Sequence, residues 1–92
     1  MLNKEKIKWI LEEEILPEFT PRNIIQDLTC MDVDFYKDLE FDDMDFAMLL
    51  YNCNQEFKSR LSASNTRGIT TKSELIELIY QKESRKNRNE NY

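Results

Sequence analysis

The sequence predicts an all-α fold, a small bundle of three to four helices, and three observations carry that expectation. Apolar residues recur at steps of three and four in three separated stretches. One glycine and two prolines are too few for the frequent turns of a β-sandwich or barrel. Ninety-two residues with 40% hydrophobic content support a single modest core, because two cores would each be too small to hold together. One domain is expected over 1–83. The stretch 84–92, rich in Lys, Arg and Asn, reads as a disordered polar tail.

The first helix is expected over roughly 3–16, where Ile7, Ile10, Leu11 and Ile15 form the apolar stripe and Trp9 falls beside it. Pro17 ends it, having no N–H to donate and disfavouring helical geometry in the residue before it. Thr20-Pro21 has the form of a second start, and 22–28 reads either as a short helix or as one loose turn. An Asp-dense loop over 29–41 leads to a strong helix capped by Asp42 or Asp43 and running to about Lys58. Its buried face is Phe46, Leu49, Leu50, Cys53 and Phe57. A polar connection over 59–68 is anchored by Leu61, and Gly68 serves a turn. Thr71-Lys72-Ser73-Glu74 fits a capping box, and Leu75, Ile76, Leu78 and Ile79 form the buried face of the last helix.

The strong helix carries a second apolar stripe, Met44, Ala47, Met48 and Tyr51, on a different face. Two readings stand. The chain's own loops cover it, or it is a partner-binding face, for which Met and Tyr are favoured.

Composition excludes several functions. The chain has no histidine, so Ser-His-Asp and Cys-His catalysis have no base, and Cys30 and Cys53 alone make neither a zinc site nor a disulfide framework. Net charge is −5, yet 32–56 holds eight acids against one base, Lys37, so the remainder is net positive. An acidic window argues for a solvated loop, a cation site or basic protein partners, and against a nucleic-acid surface. No run is long enough for a membrane span and the first residues lack a signal-peptide pattern, so the cytosol is the expected compartment.

A calcium loop needs glycine at its sixth position and a bidentate acid at its twelfth. Counting from Asp38 puts Asp43 and Leu49 there, and counting from Asp32 puts Lys37 at the sixth, so the pattern fails both ways. Asp42 and Asp43 could in principle divide acid and base roles, but adjacent carboxylates at a helix start are favoured simply as caps and dipole partners. Neither an enzyme nor a resident metal is expected.

One stretch is more specific. Asp34-Phe35-Tyr36-Lys37-Asp38-Leu39-Glu40-Phe41-Asp42-Asp43-Met44-Asp45 resembles the segment F-x-x-D-L-G-x-D-S-L-D of acyl carrier proteins. Phe35, Asp38, Leu39, Asp42 and Asp45 are identical and Met44 stands conservatively for leucine. Gln55-Glu56-Phe57 is similar to the family's E-E-F, and Ile69-Thr70-Thr71, twelve residues beyond Phe57, resembles its I-T-T. The resemblance covers about 34–79 and implies an acyl-carrier-like bundle.

Three departures limit what it implies. The family carries 4′-phosphopantetheine on the serine of D-S-L, and this chain has Asp43 there, which offers no hydroxyl to form the phosphodiester. No cofactor is therefore expected at Asp43. Glu40 stands where the family has glycine, which puts the tight turn before the helix in question. The family's docking helix is also more acidic than this one, which has Met48, Asn54 and Gln55. The resemblance thus implies a carrier-like interaction module in fatty acid, polyketide or peptide assembly, without the arm. Its docking face would be Asp42, Asp43, Met44, Asp45, Ala47, Met48 and Tyr51. Two alternatives stay open. One is an active carrier whose arm sits elsewhere, such as a serine within 59–64, and the other a small helical regulatory protein unrelated to acyl transfer. The last would have a structure in which Asp43 does not start the second long helix.

Overall fold

Asn3 opens the first helix by accepting the Lys6 N–H on its side-chain oxygen at 2.8 Å, which satisfies one of the donors a helix start leaves free. The computed structural model describes residues 3–19, 32–57 and 59–90, the last seven as backbone alone. Helix α1, Lys4–Ile10, runs directly into a wider π-helical turn, Leu11–Ile15, and a 3-10 turn, Leu16–Glu18, at Pro17. Ile7, Leu11, Ile15 and Leu16 are buried, so the expected stripe is the packed one, while Ile10 is only partly covered and Trp9 is exposed. The 22–28 segment and Cys30 lie outside the described residues.

Helix α2 is Asp43–Phe57 and buries Phe46, Leu49, Leu50, Cys53 and Phe57, the face its periodicity predicts. Helix α3 is Lys72–Glu90 and buries Leu75, Ile76 and Ile79, with Leu78 partly covered. Its backbone stays helical into the stretch that composition marks as a tail. Lys, Arg and Glu are good helix formers, and a helix already nucleated by a packed first half extends at little further expense. Among the described residues the fold is a small all-α bundle of three α-helices with one isolated β-bridge.

That bridge joins the acidic loop to α3. Asp34 pairs antiparallel with Thr71; the Phe35 N–H donates to the Thr70 carbonyl and the Lys72 N–H to the Val33 carbonyl, each at 2.8 Å. Val33, Phe35 and Phe41 thereby enter the core beside Phe46. Phe35 lies 5.9 Å from both Phe41 and Phe46, ring centre to ring centre, within the range of favourable aromatic pairing. On the far side Asn54 clamps the 59–71 connection: its amide donates to the Leu61 carbonyl at 2.9 Å and accepts the Leu61 N–H at 2.7 Å. Gly68 sits at φ +85°, a conformation that glycine adopts without strain.

Candidate interaction site

Four carboxylates of 32–45, those of Asp34, Asp38, Asp42 and Asp45, bind backbone N–H groups within four residues. Asp34 accepts the N–H groups of Tyr36 and Lys37 at 2.9 and 2.8 Å, and Asp38 accepts that of Asp34 at 2.8 Å. These donors, Lys37 first, hold the Asp34 carboxyl below its ordinary range. Asp32 crosses to α3 and takes the Ser73 N–H at 2.9 Å and its hydroxyl at 2.6 Å. Asp42 accepts from the Asp45 N–H at 2.8 Å while Asp45 accepts from the Asp42 N–H at 3.1 Å, a capping box built from two aspartates. Among the described residues no three acid or cysteine side chains converge on a metal position.

Asp43 differs from its neighbours. It is the first residue of α2, is exposed, and its side chain makes no hydrogen bond with any described residue. Three residues earlier Glu40 holds φ at 57°, the left-handed region that favours glycine. The turn before α2 is therefore formed by a glutamate in glycine-like backbone. Asp43 faces an open cleft of about 540 Å³ bounded by Tyr36, Phe46, Ala47, Leu50 and Ile69 with Arg67 at its rim. Burial, and then the charges of Asp43 and Asp34, push the Tyr36 hydroxyl above its usual range. The position has a carboxylate and no hydroxyl, so the residues here do not fit covalent attachment of a phosphopantetheine arm.

The stripe of Met44, Ala47, Met48 and Tyr51 is exposed rather than covered by the described residues, with Met44 72%, Met48 52% and Tyr51 64% accessible. Helix α2 nonetheless divides the expected face. Asp43 and Ala47 line the cleft just described, whereas Asp45, Met48 and Tyr51 line a separate groove of about 470 Å³ with Glu18, Phe19 and Asn52. Met44 borders neither, and Asp42 acts as a cap.

Three features have no mark in the local sequence pattern. Glu12, in the π-helical turn, meets Lys72 at 2.6 Å, and both side chains are buried. Asn54 reads as a surface residue of α2 but serves as the loop clamp. Glu14 and Glu18 read as ordinary solvated acids, yet both border grooves beside α2. The Cys53 thiol is inert by position: burial pushes its pKa up to about 12.

Geometry thus defines a small helical bundle with an acid-capped central helix and two depressions flanking it. Comparison with known protein families, characterised proteins and solved structures finds no match for this chain.

Proposed function

We propose that the chain is a carrier-like domain without a prosthetic arm, working in the cytosol as a protein-interaction module rather than an enzyme, in acyl or peptide assembly. The observation that carries this reading is the pairing of Asp43 with Glu40. Asp43 begins the second long helix, its side chain exposed and without a hydrogen bond to the described residues, at the position where the carrier motif has its serine. Glu40 keeps glycine-type backbone at the position where that motif has glycine. A chain reaching the motif by accident has no reason to reproduce a strained turn at that spacing. In this reading Asp43 offers fixed negative charge where a loaded carrier has its phosphodiester.

Intact mass after incubation with coenzyme A and a broad-specificity phosphopantetheinyl transferase tests the proposal. The wild type should gain no mass and Asp43→Ser should gain one arm. A gain by the wild type, located by peptide mapping, would overturn the arm-less reading, whichever serine carried it. Failure of Asp43→Ser to load, with its fold intact by circular dichroism, would count against the carrier reading.

A further inference from the structure

Helices α1 and α3 pack antiparallel. Lys4, at the start of α1, makes an ion pair with Glu77 and stands over the Tyr80 ring, 5.3 Å from Nζ to its centre, whereas Glu12, just past the other end of α1, meets Lys72. The start of α1 thus lies beside 77–80, and the helical backbone of α3 goes on for ten more residues, 81–90. Ten helical residues rise roughly 15 Å.

Charge divides along this axis. Asp32 holds Ser73 and Asp34 pairs with Thr71, which ties the acidic loop to the start of α3. Its end is the reverse: Lys82, Arg85, Lys86 and Arg88 stand against Glu83 and Glu90, and the neighbouring start of α1 adds Lys4, Lys6 and Lys8 against Glu5 and Glu77. From Ser73 to Lys82 the helix rises roughly 14 Å. That exceeds the screening length of about 8 Å at physiological salt, so the acids at one end do little to cancel the cations at the other.

Residue type narrows the partner. From 81 to 91 the chain holds only Gln, Lys, Glu, Ser, Arg and Asn. A helix with no apolar stripe has nothing to bury among lipid tails or in the core of a protein interface. The same residue types, acids aside, are those that meet the phosphate oxygens and base edges of nucleic acid. Lys82, Arg85 and Lys86 share one face of α3, at steps of three and four, and Arg88 follows Arg85 by three. The major groove of duplex DNA, about 12 Å wide, admits a single helix, whereas that of duplex RNA is too deep and narrow for side chains to read.

We infer that the end of α3, 82–88, binds duplex DNA, chiefly through its phosphates. The acidic window argues against nucleic acid at the opposite end of α3 and leaves this end available. Repulsion of those acids by the polyanion orients the chain with its basic end inward. The inference uses nothing at Asp43, so either outcome of the transferase assay leaves it standing.

The test is the anisotropy of a fluorescein-labelled duplex of about twenty base pairs titrated with the full chain. Binding should weaken about a hundredfold between 50 and 200 mM salt, as expected when four cations displace counterions from phosphates. Arg85→Gln with Arg88→Gln should lower the affinity and reduce the logarithmic salt slope by about two. Both positions lie beyond Ile79, the last buried residue of α3 among the described side chains, and an unchanged urea midpoint would confirm that packing is kept. Lys37→Gln with Arg60→Gln removes the same charge from exposed positions elsewhere and should change binding little. Equal loss from the two double variants would reduce the interaction to net charge and overturn the inference. So would absence of binding at about 100 µM chain in 50 mM salt, where even non-specific DNA binding is detectable. Tighter binding to single-stranded RNA of equal length, to polyglutamate or to phosphatidylserine vesicles would assign this end to another partner and overturn it too.

Discussion

Glu12 and the carboxylates of 32–45 put the same chemical group to opposite uses. In the loop the acids are mostly exposed and bind backbone N–H groups within four residues, or across to α3 in the case of Asp32. Glu12 is buried and meets Lys72, sixty residues away in the chain. Desolvation explains the contrast in partners. An exposed carboxylate keeps its water, so a neutral donor is enough, whereas a buried one needs a full opposite charge nearby. Burial makes the second kind of contact the more fragile, and removing one partner tests that directly. Glu12→Leu should destabilise the fold by about 3 kcal/mol or more, read from the urea midpoint, because it removes the carboxylate from a buried ion pair. Combining it with Lys72→Met should recover most of the loss. A double variant as unstable as the single one would show that the pair's value lies in shape rather than charge.

Each loop cap should matter less. Asp42→Ala removes one half of the Asp42–Asp45 box and should cost about 1 kcal/mol, as N-cap truncations do. Asp42→Asn keeps an acceptor and should restore most of it. If Asp42→Ala matched Glu12→Leu in effect, the distinction between exposed and buried carboxylates drawn above would fail.

The two uses also differ in how far they could be read in advance. Caps are local, so Thr71-Lys72-Ser73-Glu74 announces its box, and Glu74 indeed accepts the N–H groups of Thr70 and Thr71 at 3.1 Å. The apolar stripes of all three helices follow from spacing for the same reason. Glu12–Lys72, the Asn54 clamp and the Asp34–Thr71 bridge join residues whose separation leaves no periodic trace. The π-helical widening at Leu11–Ile15 belongs with them, since the sequence there has ordinary helical spacing. At the candidate site, Met44, Ala47, Met48 and Tyr51 were legible as one stripe on a second face of the helix, whereas their exposure was not, because cover by the chain's own loops fits the same spacing. Their division between two depressions depends on Tyr36, Phe19 and Ile69, which come from other segments.

Acid should probe the loop as a set. Backbone and side-chain donors from Thr70 and Thr71 hold the Glu74 carboxyl below 4.5, and donors from Lys37 and Tyr36 hold that of Asp34 below 3.8. Both folded pKa values are depressed, so the unfolded chain takes up these protons first. Their contribution is therefore present above those ordinary values and lost as pH falls through the folded ones. The urea midpoint should stay level from neutrality to about pH 5 and decline below it. Glu74→Gln, which keeps an acceptor but cannot titrate, should flatten part of that decline. An unchanged slope would remove Glu74 from the account.

The smallest effect should come from Glu40, and its sign is opposite to the others. A non-glycine residue at φ 57° crowds its Cβ against the following carbonyl, at a cost of roughly 1–2 kcal/mol. Glycine relieves that crowding but loses more backbone freedom on folding, which takes back roughly 0.5–1 kcal/mol. Glu40→Gly should therefore stabilise the chain by about 0.5–1 kcal/mol, seen as a higher urea midpoint with an unchanged slope. Glu40→Asn, which tolerates the left-handed region better than glutamate, should fall between the two. Glu40→Val should lower the midpoint, because a β-branched side chain fits that region worst. Reversal of this order would mean that the left-handed turn ahead of Asp43 is not the conformation the chain holds in solution, and the parallel between Glu40 and a glycine would go with it.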